Sequence, residues 1–322
     1  MALLSLAAMK NFEENTRARF ARQEDVCEYL FLSKGPFWHL CTPGTFQELL
    51  FADEDDFRLG INSAALTKGP ITLYSCTVMS NHLHDIGAGR LEDLLSFFER
   101  RKAFIKRYLK DKGRVVNLDG FSCTPIPIDS LKVLRNEIVY SHRNGYVVHP
   151  HQTPFSYPWS SGRYYFNPGL EADGVLYSQL SYKEKRSLCR GRVQDLPGDW
   201  IISNGMISPQ SFVDIHGGEA FFRDAHQYFT LLSKNYEAYS EVAQRLGDQV
   251  FLTDEELFST VSSLCRRDFG QTRPSILAPD DKIRVAQEMK HKYNASNGQI
   301  RRMLRLDARV VQELFPQSGG GV

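Results

Sequence analysis

The chain offers few of the features that would assign a protein to a class at sight. Its six cysteines (Cys27, Cys41, Cys76, Cys123, Cys189, Cys265) are scattered, with no C-x-x-C pair. That spacing excludes a zinc finger or ribbon and predicts reduced thiols in a cytosolic protein rather than a disulfide framework. No apolar run approaches the roughly 20 residues a spanning helix needs, so no membrane partner is expected. An excess of one charge is also missing: 39 Lys+Arg stand against 38 Asp+Glu, a net +1. Any case for a polyanionic partner must therefore come from local clusters. No internal repeat is visible.

What is present is an ordinary globular composition. Of 322 residues, 42% are hydrophobic and 24% charged, which excludes a disordered chain and predicts two or three domains with a real core. The opening Met1 to Met9 is apolar but lacks a basic residue ahead of it. It is expected to be a short helix, or an upstream extension if translation begins at Met9, rather than a signal peptide.

Three stretches follow from the pattern. Over 1–170, residues 27–32 and 37–41 read as short strands and Phe46 to Leu66 as a helix, from apolar residues three and four apart. Residues 71–79 are β-branched and aromatic, predicting a strand that runs on to Ile86. Leu91 to Lys112 reads as a long helix stopped by Gly113, and Ile128 to Asn144 as another, closed by Gly145. Together these predict an α+β domain on an antiparallel sheet flanked by helices. Residues 171–250 are mixed and carry no chemical motif, with a helix from Gly218 to about Leu246. Residues 251–318 read as all helical, and Ser318 to Gly321 as a flexible tail.

Two clusters bear chemistry. His82 and His84 stand two apart, so in a strand they share a face while Leu83 turns to the other, and two imidazoles come within reach of one metal ion. Taken alone, the pair reads rather as surface or edge-strand histidines, exposed groups that contribute little to the core. Tyr140 and Asn144 stand four apart, one turn of a helix, which presents a hydroxyl and an amide together. The alternatives are a core tyrosine and a helix C-cap.

The segment Tyr74 to Ile86 (YSCTVMSNHLHDI) resembles the M-x-N-H-hydrophobic-H strand of HUH single-tyrosine transposases. Tyr140-x-x-x-Asn144, followed by Trp159-Ser160-Ser161, is similar to the Y-x-x-x-N and W-S-S elements of their REP-associated subgroup, and Phe37-Trp38-His39-Leu40 fits the first core strand. Two positions depart from the pattern. Gly145 stands where the family has proline, and Asp85 follows the second histidine where the family is apolar; Asp85 reads either as a partner of the metal site or as outward-facing.

The resemblance implies a ferredoxin-like HUH domain in which His82, His84 and Asn144 hold a divalent ion, Mg2+ or Mn2+, and Tyr140 attacks a phosphate of single-stranded or hairpin DNA. A free tyrosine has a pKa of about 10, so it needs a metal-polarised phosphate and a fixed line of attack. The product is a 5′-phosphotyrosine that conserves the bond energy, which accords with the lack of a G-x-x-x-x-G-K-[ST] loop. His39, His142 and Tyr146 read as packing or DNA-adjacent groups, with Tyr146 the fallback nucleophile. A non-cleaving DNA-binding protein of the same fold and a water-using nuclease stay open, as does the choice between monomer and dimer.

Two basic clusters are expected to meet phosphates. Arg100, Arg101, Lys102, Lys106, Arg107 and Lys110 crowd the second half of the Leu91 to Lys112 helix. Arg301, Arg302 and Arg305 lie around the middle of three short C-terminal helices that resemble a helix-turn-helix module.

Overall fold

The computed structural model describes residues 24–42, 49–123, 125–147, 153, 155–170, 173–234, 242–243, 252 and 254–316. The expected N-terminal helix, the tail and the stretch 244–247 lie outside them. The chain divides into two compact units, Met1–Asn235 and Tyr236–Val322.

The first unit opens with a correction. Residues 27–32, expected as a strand, lie within helix α1 (Glu24–Lys34). Cys27 and Phe31, four apart, are its buried pair, and Glu24, Asp25 and Lys34 sit at the ends the helix dipole favours. Strand β1 (Phe37–Cys41) follows as expected. Helix α2 (Glu54–Thr67) starts later than the pattern suggests, where Asp53 caps it by accepting from the Asp56 N–H at 3.0 Å; residues 43–48 lie outside the described ones.

Strand β2 (Thr72–Val78) does not run on to Ile86. The chain reverses at Ser80 and Asn81, where the Met79 N–H donates to the His82 carbonyl at 2.9 Å, and returns as β3 (Leu83–Ala88), antiparallel to β2. Helix α3 (Leu91–Asp111) ends where Gly113 takes a φ of 76°, and the Arg114 N–H returns to the Leu109 carbonyl at 2.8 Å. After β4 (Ile126–Ile128) comes α4 (Leu131–Val147), which continues through Gly145 instead of stopping there. That glycine has another cause: a Cβ on it would lie 2.3 Å from the Tyr157 ring.

The four strands form one antiparallel sheet in the order β2-β3-β1-β4. With α2 joining β1 to β2 and α3 joining β3 to β4, these are the connections of a split β-α-β, ferredoxin-like sheet. Helix α4 packs on one face, whereas α2 and α3 cover the other.

The middle stretch, expected as a region of its own, belongs over 173–234 to this first unit. It holds a small sheet of β5 (Val175–Leu176), β6 (Ile201–Ser203) and β7 (Met206–Ile207) and four short helices, α5 (Tyr182–Leu188), α6 (Pro209–Phe212), α7 (Ile215–Glu219) and α8 (Ala225–Lys234). The long helix expected from Gly218 is therefore two, with Ala220 to Asp224 between them. The Asp214 N–H donates to the Leu73 carbonyl at 2.8 Å, the Asn62 amide holds Gly205 and Ile207, and His142 meets the Tyr228 hydroxyl at 2.9 Å.

Over its described residues the second unit is helical, with α9 (Asp254–Phe269), α10 (Pro279–His291), α11 (Asn297–Leu304) and α12 (Ala308–Leu314). Leu257, Val261, Val285, Met289, Ile300, Leu304 and Val311 share its core. Ser296 and Gln299 form a capping box that starts α11.

Candidate metal and tyrosine site

Alternation along β3 decides the site. His84 points to the α4 face of the sheet, where it meets Asn144 and Tyr140, while its neighbour Asp85 points to the α3 face and pairs with the buried Arg101 guanidinium. His82 lies in the reversal just before β3 rather than in a strand, yet its ring centroid is 5.0 Å from that of His84. The Tyr140 ring is 5.5 Å from the His84 ring, and the Asn144 amide nitrogen lies 3.1 Å from His84 Nε2. The four residues expected at the site are thus drawn together from two stretches far apart in the chain.

They are also buried: Tyr140 and His84 are 0% exposed, Asn144 4% and His82 7%. The expectation of exposed strand-end histidines is corrected, because α4 and the 157–165 segment close over this face of the sheet.

His39 belongs to the same cluster. Its Nε2 lies 3.2 Å from His84 Nδ1 and its Nδ1 lies 3.1 Å from Glu137 Oε2, on α4 one turn before Tyr140. Burial holds the His39 imidazole below the usual histidine range, against the opposing pull of its hydrogen bond to Glu137. Sequence spacing could not pair His39 with Glu137, 98 residues away. A signal for Glu137 was nonetheless there, since 137, 140 and 144 fall at helical i, i+3, i+7.

Two groupings around His84 suit a cation. His39, Cys41 and His84 offer ligand atoms within 4.8 Å of one another, all buried, close enough for one metal ion. On the other side, His84 Nε2 and the Asn144 amide are 3.1 Å apart. Adjacent ligands of an octahedral ion at about 2.1 Å lie about 3 Å apart, so this spacing fits. Which amide atom faces the imidazole is an assignment, and a flip presents the oxygen.

The Trp159-Ser160-Ser161 segment builds the wall beside the site. The Val78 N–H donates to the Trp159 carbonyl at 2.9 Å, Thr77 and Ser160 share a hydroxyl contact at 2.8 Å, and the Cys76 N–H donates to Ser161 Oγ at 3.0 Å. Ser141 of α4 joins this ladder through Ser75 and Thr77, and His142 contacts Ser161 Oγ at 3.3 Å. His142 therefore packs, as expected; burial pulls its pKa down to about 3. The side chain of Tyr146 lies outside the described residues.

The basic helix is placed differently from the expectation. Arg101 is 0% exposed; besides Asp85 it donates to Ser63 Oγ and the Gly60 carbonyl. It falls in the apolar stripe, four after Phe97 and three before Phe104, a spacing that charge counting overlooks. Arg101 is thus removed from the phosphate-contacting group. Arg100 is exposed but donates to the Thr67 carbonyl. Lys106, Arg107 and Lys110 are exposed and Lys102 half-buried, on a helix across the sheet from His84 and Tyr140. In the second unit Arg301 and Arg305 are exposed, while Arg302 is tied to Asp254 at 2.8 Å.

No helix among the described residues is long and apolar enough to cross a membrane. No family model matches this chain, and no curated protein matches it. Among solved structures, it is similar to a REP-associated tyrosine transposase bound to a REP hairpin, at 15% identity over 53% of this chain and 94% of that one, with a TM-score of 0.34.

Proposed function

We propose that this chain is an HUH-type single-tyrosine transposase-like protein: a metal-dependent endonuclease and strand transferase acting on single-stranded or hairpin DNA. The observation that carries the reading is the convergence of His82, His84, Tyr140 and Asn144 on one face of the sheet. Tyr140 Oη bonds to phosphorus as the bond to O3′ breaks, leaving a 5′-phosphotyrosine and a free 3′-hydroxyl. When bound by His82, His84 and Asn144, Mg2+ or Mn2+ supplies charge neutralisation at the nonbridging phosphate oxygens. Arg301 and Arg305 of the second unit, with Lys106, Arg107 and Lys110 of α3, are the residues assigned to DNA phosphates, and the protein would work in the cytoplasm.

A second reading, a protein of this fold that binds DNA without cutting, is favoured by one observation: Tyr140 is fully buried, so a phosphate does not reach its hydroxyl in this conformation. Incubation with a 5′-labelled, single-stranded hairpin and Mg2+ or Mn2+ separates the readings. A protein whose denatured mass rises by the unlabelled 3′ fragment supports the transposase-like reaction. Binding without an adduct supports the second reading, and cutting without one indicates attack by water.

A further inference from the structure

We propose that His39 and Glu137 are positioning residues that fix the His84 imidazole as its Nδ1–H tautomer, keeping Nε2 unprotonated on the side of Asn144, where it can accept a divalent cation. The inference rests on the metal-site reading above and adds to it the device that prepares the ligand.

The argument follows the protons along one chain of contacts. A carboxylate oxygen accepts, so the proposal gives His39 Nδ1, 3.1 Å from Glu137 Oε2, the donor's part. A neutral His39 then has an unprotonated Nε2, which accepts from His84 Nδ1 at 3.2 Å. With its proton on Nδ1, His84 has an unprotonated Nε2, and the Asn144 amide N–H donates to it at 3.1 Å. With both rings neutral, the donors all point toward Glu137. One acceptor at the buried end thereby sets the state of a nitrogen two residues away in the network.

The same proton count decides between the two groupings around His84. A protonated Nδ1 has no lone pair to give, so on this proposal His39 and His84, which meet edge to face, are joined by a hydrogen bond and the grouping with Cys41 is not the cation site. Outer partners of this kind typically change metal affinity 10–100-fold when removed.

The test is a long-range 1H–15N correlation on the metal-free protein labelled at histidine nitrogen, with His84 assigned by its loss in His84→Gln. The expected result is a neutral Nδ1–H ring for both His39 and His84. In Glu137→Gln the terminal amide can donate as well as accept, so the His84 signal should move toward the Nε2–H form and calorimetric Mn2+ affinity should fall at least tenfold. Cys41→Ala should leave Mn2+ affinity within twofold. A wild-type His84 that is protonated at Nε2 overturns the proposal, as do an unchanged Mn2+ affinity in folded Glu137→Gln and a wild type that binds no Mn2+. Loss of the DNA adduct alone, with tautomer and Mn2+ binding intact, would sink the nuclease reading and leave this one standing.

Discussion

Tyr140 and His84 meet edge to face, with ring centroids 5.5 Å apart and planes at 85°, and neither side chain is exposed. The ring of Tyr140 is therefore part of the packing over the sheet, and its hydroxyl can be removed separately. Tyr140→Phe is expected to abolish both cleavage and the covalent adduct while DNA affinity stays within about twofold. Tyr140→Ala should in addition cost about 3–5 kcal/mol of stability, as large-to-small changes in a core do. Denatured-mass analysis and urea unfolding read the two effects separately; an adduct that persists in the Phe variant refutes the assignment of Tyr140.

His84→Ala removes a buried ring and leaves the His39 nitrogen and the Asn144 amide without this partner. Unpaired buried polar groups cost about 1–3 kcal/mol each, so the variant should be destabilised as well as blind to metal. His82 is less deeply enclosed, and His82→Ala should lose metal binding at a smaller cost. Equal unfolding midpoints for both variants and wild type would contradict the burial of His84.

Breaking the Arg101 pair tests whether that residue belongs to the core or to DNA. Arg101→Met strands the Asp85 carboxylate, whose pKa burial already raises and whose Oδ1 has no hydrogen-bond partner among the described residues. A loss of about 3–5 kcal/mol is expected, whereas Arg107→Ala on the exposed side should stay within about 0.5 kcal/mol. Urea titrations of the two variants decide, and a neutral Arg101→Met would restore it to the candidates for phosphate contact.

For the second unit, the combined change Arg301→Ala and Arg305→Ala should weaken DNA binding and flatten its dependence on salt, by roughly one unit of log–log slope per lost phosphate contact. Titrations at several salt concentrations measure this; an unchanged slope removes both residues from the interface.

His142 gives the pH dependence its sign. Its folded pKa of about 3 lies below the usual 6.5, so the unfolded chain binds a proton that the native protein refuses. Its contribution is present above pH 6.5 and is lost as the pH falls toward 3, by at most about 1.4 kcal/mol per unit. His142→Gln should shrink the stability difference between pH 7.5 and 5, as read by urea unfolding; an unchanged difference would show that His142 is not the group responsible.

Fixed short-range spacing made much of the site legible. His82 with His84 and Tyr140 with Asn144 could be read as pairs because an i, i+2 or i, i+4 interval survives any error in element boundaries. The reversal between β2 and β3 was hidden because Ser80-Asn81 carries neither glycine nor proline, and the run from 71 to 86 looks continuous. Aromatic residues in 27–32 suggested a strand, where the Cys27 to Phe31 interval was the better guide. Glu137 as the partner of His39 was out of reach because only folding brings β1 against α4. Arg101 was misjudged by counting charge without asking which face of the helix each charge occupies.

One consequence follows from how the sheet ends. Along β2, the outer edge is occupied by Trp159, Ser160 and Ser161 at one end and by Val213 and Asp214 at the other. At the opposite edge, β4 is three residues long and has Pro127 at its centre. Neither margin gives a strand from another molecule a row of free amides to follow, so the sheet is protected against edge-to-edge aggregation. Two copies of this unit, if they associate, would have to meet through helices and side chains rather than by extending one sheet across both.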